Sequence, residues 1–90
     1  MNKERMKAQL RELYGDMAGV VRLHWSGDDT VPCQFLSLDS ALDEIAERAV
    51  YTNMSAGEIE KIAYIVTEAE YQEQQREFDA INAPIERLDS

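Results

Sequence analysis

Ninety residues, 44% apolar and 30% charged, are enough for one domain spanning 1–90 with a modest core, and they argue against a deep cavity. The apolar runs are too short to cross a bilayer, and the charged start Met1-Asn2-Lys3-Glu4-Arg5 lacks the apolar stretch of a secretion signal. The single cysteine, Cys33, excludes an internal disulfide, so a reducing cytoplasm is the expected compartment.

The net charge of −9 is unevenly spread. Residues 1–25 hold five basic and three acidic residues, giving +2, whereas residues 26–90 hold four and fifteen, giving −11. Such a surface repels nucleic acid and anionic membrane, so neither is expected as a direct partner. It attracts basic protein surfaces, including those built to hold DNA or RNA; the alternative is that it serves only solubility.

In chain order, Met6, Leu10, Leu13, Tyr14 and Met17 fall on one face of a 3.6-residue period, which predicts a helix over Lys3–Met17. Gly15 and Gly19 bracket its end. The period then changes to two. Val21, Leu23 and Trp25 alternate in one run, and Val31, Cys33 and Phe35 in another. The turn residues Ser26-Gly27-Asp28-Asp29-Thr30 between them predict a β-hairpin. Both apolar sets share a face only if paired positions sum to an even number, and a three- or five-residue loop gives the pairs Trp25–Val31, Leu23–Cys33 and Val21–Phe35. Pro32, without an N–H, belongs on an edge.

A second helix is expected between Ser37 and Asn53, capped by Asp39 or Ser40, with Leu38, Leu42, Ile45, Ala46, Ala49 and Val50 as its apolar stripe. Ser55-Ala56-Gly57-Glu58 is a capping box. Ile59, Ile62, Ala63, Val66 and Ala69 then continue at helical spacing, and Pro84 gives a stop. The expected architecture is therefore α+β in the order α-β-β-α-α, with a long last helix. A helix over 56–82 would be about 40 Å long. That exceeds a domain whose radius of gyration should be about 12 Å, so its C-terminal half must bend back or project.

Two surfaces stand out as candidates for contact. Tyr64, Tyr71, Phe78 and Ile85 recur every seven residues, with Ile81 between the last two, and lie on the far side of this helix from its core stripe. Aromatic residues anchor interfaces well, so Tyr64, Tyr71, Phe78 and Ile81 suit a homodimer seam or a partner helix. The alternative is that the chain itself covers them. The second surface is acidic: Asp28 and Asp29 at the hairpin tip, Asp43, Glu44 and Glu47 on the second helix, and Glu68, Glu70, Glu73 and Glu77 on the third. Glu70, Glu73 and Glu77 form a row of like charge that can imitate the phosphates of nucleic acid; the alternative is a solvated face.

Catalytic signals are sparse. His24 is the only histidine and sits opposite the Trp25 face. Cys33 has no histidine on its own face, and a thiol directed into a core is inert. No metal-ligand spacing and no phosphate loop is present, so no catalytic residue, metal or cofactor is expected. In size, charge and element order the chain resembles small acidic phage-encoded inhibitors, among them anti-CRISPR proteins that imitate DNA. The resemblance implies a non-catalytic protein that occludes a basic, nucleic-acid-binding surface. It carries over no residue role.

Overall fold

Asn2 opens the first helix by accepting a hydrogen bond from the Arg5 N–H at 2.8 Å, satisfying one of the donors a helix start leaves free. In the computed structural model, which describes residues 2–77, this helix (α1, Lys3–Tyr14) buries Met6 and Leu10. It stops at Gly15, whose φ of 73° is the left-handed geometry that glycine adopts without strain. Met17 lies beyond the helix but still packs against the core.

Strands β1 (Val21–Trp25) and β2 (Cys33–Phe35) form the expected antiparallel hairpin, with Val21 opposite Phe35 and Leu23 opposite Cys33. Val21 and Leu23 are buried and Trp25 is half-buried, as the alternation predicts. The third expected pair, Trp25–Val31, is not part of the ladder. Val31 is 69% exposed, and Cys33, although it shares the face of its partner Leu23, is exposed rather than buried, because alternation sets its direction but nothing among the described residues covers it. The ladder stops short of Val31 because β2 is a three-residue edge strand entered from Pro32, which has no N–H to extend the pairing.

Helix α2 (Leu38–Thr52) buries Leu38, Ala41, Leu42, Ile45, Ala46 and Ala49, and ends on left-handed Asn53. Val50, expected in the stripe, is exposed. The cap is Ser37 rather than Asp39 or Ser40: its Oγ accepts from the Ser40 N–H at 3.3 Å. Asp39 turns instead to α1, pairing with Lys7 at 2.8 Å and Arg11 at 2.5 Å, while Asp43 pairs with Lys3 at 2.9 Å. The Asp43 hydrogen bond holds the Lys3 ammonium above its ordinary pKa, and the Lys7 hydrogen bond, with Arg11 adding to it, holds the Asp39 carboxyl below its own.

The capping box at Ser55 is present, with Ser55 Oγ accepting from the Glu58 N–H at 3.2 Å, but the helix it opens (α3, Ala56–Glu60) has only five residues. The long third helix is thus overturned. Residues Ala63–Thr67 form a strand, β3, antiparallel to β1 with Ala63 opposite Trp25 and Thr67 opposite Val21. The sheet order is β2-β1-β3, and the element order is α-β-β-α-α-β-α. Physically, a helix here would leave the second edge of β1 unpaired; a strand satisfies those backbone groups and buries Ala63 and Ile65 on the core face. Residues 68–77 then form a helix, α4, whose start is steadied by Thr67 Oγ1 accepting from the Glu70 N–H at 3.2 Å.

The core is one cluster between one face of the sheet and α1, α2 and α3. It joins Met6 and Leu10 to Val21 and Leu23, to Leu42 and Ile45, and to Ile59, Ala63 and Ile65. The class is α+β as expected. No helix among the described residues is long and apolar enough to cross a membrane.

Candidate binding cleft

Alternation along β1 and β3 puts Arg22, His24, Tyr64 and Val66 on the sheet face opposite the core. The register sets Arg22 beside Val66 and His24 beside Tyr64. The chain reverses at the end of β3, and α4 comes to lie against this outer face. Two interactions position it. Arg22 grips Glu68, with Nε to Oε2 at 2.7 Å and Nη2 to Oε1 at 3.3 Å, and the Tyr71 ring covers the guanidinium with 4.2 Å between Cζ and the ring centre. The Arg22 hydrogen bond, with that from Gln72 second, holds the Glu68 carboxyl below its ordinary pKa.

The result is a cleft of about 500 Å³ between the outer sheet face, α4 and the β1–β2 loop. Its walls are Arg22, His24, Tyr64 and Val66 from the sheet, Tyr71, Gln74 and Gln75 from α4, and Asp29 to Pro32 from the loop. The loop is held in shape by Asp28, whose Oδ1 accepts from both the N–H and the hydroxyl of Thr30 at 2.9 and 2.7 Å, which lowers the pKa of that carboxyl. His24 Nε2 lies 2.7 Å from the Asp28 carbonyl oxygen and ties the loop to β1.

Two of the aromatic candidates, Tyr64 and Tyr71, line this cleft, but not as a helical seam. Tyr64 stands on a strand, so the seven-residue spacing to Tyr71 has no helical meaning; the two meet because the chain turns back between them. Phe78 and Ile81 lie outside the described residues. Sequence reasoning placed His24 opposite the Trp25 face, where it lies, but missed Arg22, Val31, Pro32, Val66, Gln74 and Gln75 as wall residues. The outward alternation in β1 was a usable signal for Arg22. Nothing local marked the rest, because they depend on where α4 returns.

The acidic candidates fall into three groups. Asp43 and Glu68 are engaged within the fold, with Lys3 and Arg22. Asp28 braces its own loop, with Asp29 exposed beside it. Glu44 and Glu47 on α2, and Glu70, Glu73 and Glu77 on α4, are exposed and make no ion pair among the described residues. These last two sets stand on opposite sides of the sheet, since α2 packs on the core face and α4 on the outer face. At about 100° per residue, Glu73 points away from the cleft lined by Tyr71, Gln74 and Gln75, whereas Glu70 and Glu77 stand within about 60° of Gln74, at its rim. Among the described residues no group of three or more His, Cys, Asp or Glu is placed to hold a metal ion. No protein-family model, curated protein or solved structure matches the chain.

Proposed function

We propose that this protein is a non-catalytic acidic binder that occludes a basic surface of a partner protein, with a surface built to hold nucleic acid as the concrete case. The observation that carries the reading is how internal charge pairing is distributed. Lys3, Lys7, Arg11 and Arg22 are all paired inside the fold, so of the five N-terminal cations only Arg5 lacks an ion pair among the described residues. Those pairs engage only Asp39, Asp43 and Glu68. What faces outward includes Arg5, Arg48, Lys61 and Arg76 but is outweighed by acidic residues, among them Asp29, Glu44, Glu47, Glu70, Glu73 and Glu77, all exposed. A field of one sign steers an oppositely charged partner and disfavours nucleic acid and anionic membrane.

A phage-type inhibitor such as an anti-CRISPR or other DNA mimic is the specific version. It rests on charge and size alone, because the third strand and fourth helix depart from the element order that suggested it. The α4 row of Glu70, Glu73 and Glu77 is the part of the surface most like a phosphate run.

The test is capture of a partner from host lysate at about 0.05 M and about 0.5 M NaCl, between which screening shortens several-fold. The captured protein should be basic and released at the higher salt. Capture should also fail for the triple variant Glu70→Lys, Glu73→Lys, Glu77→Lys. A partner held equally at both salts and by both proteins would defeat the proposal.

A second reading, an interaction or dimerisation module acting through aromatic residues, is favoured by one observation: Tyr64, 52% exposed, meets Tyr71 at the cleft. It expects salt-tolerant binding lost on Tyr71→Ala, and for the homodimer form a sedimentation coefficient that rises with concentration.

A further inference from the structure

We propose that the cleft between α4, the outer sheet face and the β1–β2 loop receives an arginine side chain of the basic partner. The inference rests on the function proposed above and adds the point at which contact is specific.

Charge selects the occupant first. Arg22 on the cleft wall is already matched by Glu68, and the ring nitrogen of His24 is engaged by the Asp28 carbonyl. Asp29 is the exposed charge left on the wall, in a chain of net charge −9. A cation is therefore favoured and an anion repelled.

The aromatic wall then selects the kind of cation. Among the described residues guanidinium groups stack on ring faces twice, Arg22 on Tyr71 at 4.2 Å and Arg48 on Trp25 at 4.9 Å. Tyr64 lines the same cleft, is 52% exposed, and has no guanidinium over its ring among the described residues. A planar guanidinium can lie on that ring while donating to a carboxylate at its edge, which a lysine ammonium does less well. Val31, Pro32 and Val66 offer apolar contact for the three-carbon stem, and the side-chain carbonyls of Gln74 and Gln75 are acceptors for the remaining N–H groups.

The experiment is an NMR titration of the full chain with hexa-arginine, then with hexalysine. Hexa-arginine is expected to shift Asp29, Val31, Tyr64 and Gln74, and to bind about threefold or more tightly than hexalysine. Asp29→Asn and Tyr64→Thr, the latter keeping a strand-forming residue, should each weaken it about threefold or more, whereas Tyr64→Phe should bind as the parent does. Shifts confined to the side of α4 bearing Glu70, Glu73 and Glu77, with Tyr64→Thr without effect, would overturn the cleft inference while the proposed function stands. No shift anywhere with hexa-arginine would remove both. Concentration-dependent shifts of the cleft residues without peptide would assign the cleft to a second copy of the chain. Contacts between Tyr64 and Ile81, Ile85 or Leu88 would assign it to the chain's own C-terminus. Either result overturns the inference.

Discussion

Arg22 and Glu68, 46 residues apart, form a two-pronged ion pair that fastens the start of α4 to the central strand. The side chains are only 17% and 27% exposed, and the Glu68 N–H also donates to the Val20 carbonyl at 2.8 Å. The carboxyl's folded pKa lies below its ordinary value because Arg22 and Gln72 donate to it. The sign follows directly: stability from this group is complete above the unfolded carboxylate pKa, about 4.3, and is lost as pH falls through the lower folded value. The thermal midpoint should therefore fall on acidification below about pH 4. Glu68→Gln should start from a lower midpoint at neutral pH and show a shallower acid-side fall. Some slope should survive, because Asp39 is depressed by Lys7 and Arg11 in the same sense. Superimposable profiles for the two proteins would show that the pair does not secure α4.

Cys33 gives a second expectation, set by its position on the edge strand. Its thiol is exposed, so attack on a disulfide reagent needs no opening of the fold. Native protein should titrate as one thiol per chain, at a rate within about tenfold of that in denaturant. A thiol reached only after unfolding would place β2 under the core.

Cys33 and β3 mark the limit of what local sequence pattern encodes. The amphipathic periods of α1 and α2, the Ser55 box and the Leu23–Cys33 register were legible because each depends on neighbours within a few residues, or on an even-sum pairing rule. β3 was not. Ile59, Ile62, Ala63 and Val66 satisfy a helical period, while Ala63 and Ile65 satisfy a strand period, so the same letters fit both. The β-branched run Ile65-Val66-Thr67 was the local hint, but the deciding factor is the unpaired edge of β1, forty residues earlier. The cleft inherits that difficulty. Tyr64 and Tyr71 could be picked out as contact residues, yet what brings them together is the turn from β3 into α4. Cys33 was misjudged because alternation gives the direction of a side chain but not whether a helix lies above it.

Tyr14 joins the end of α1 to β3, its hydroxyl donating to the Ala63 carbonyl. Burial, and secondarily the charge of Glu60, push this phenol above its ordinary pKa near 10. The folded chain thus keeps Tyr14 neutral while the unfolded chain ionises it. Stability from the group is complete below about pH 10 and is lost as pH rises above that value. Tyr14→Phe keeps the ring in the core and removes the hydroxyl. It should cost about 1 kcal/mol at neutral pH, the net worth of one hydrogen bond. The same substitution should flatten the loss of stability on the alkaline side, since no phenol remains to ionise there. Part of the slope should persist, because Lys3 is raised by Asp43 and loses its contribution in the same direction. Urea unfolding at neutral pH and at about pH 11 reads both effects, and the gap between parent and variant should narrow at the higher pH. A gap of the same size at both pH values would mean that the Tyr14 phenol titrates as it does in the unfolded chain, and would unseat its role as the link between α1 and β3.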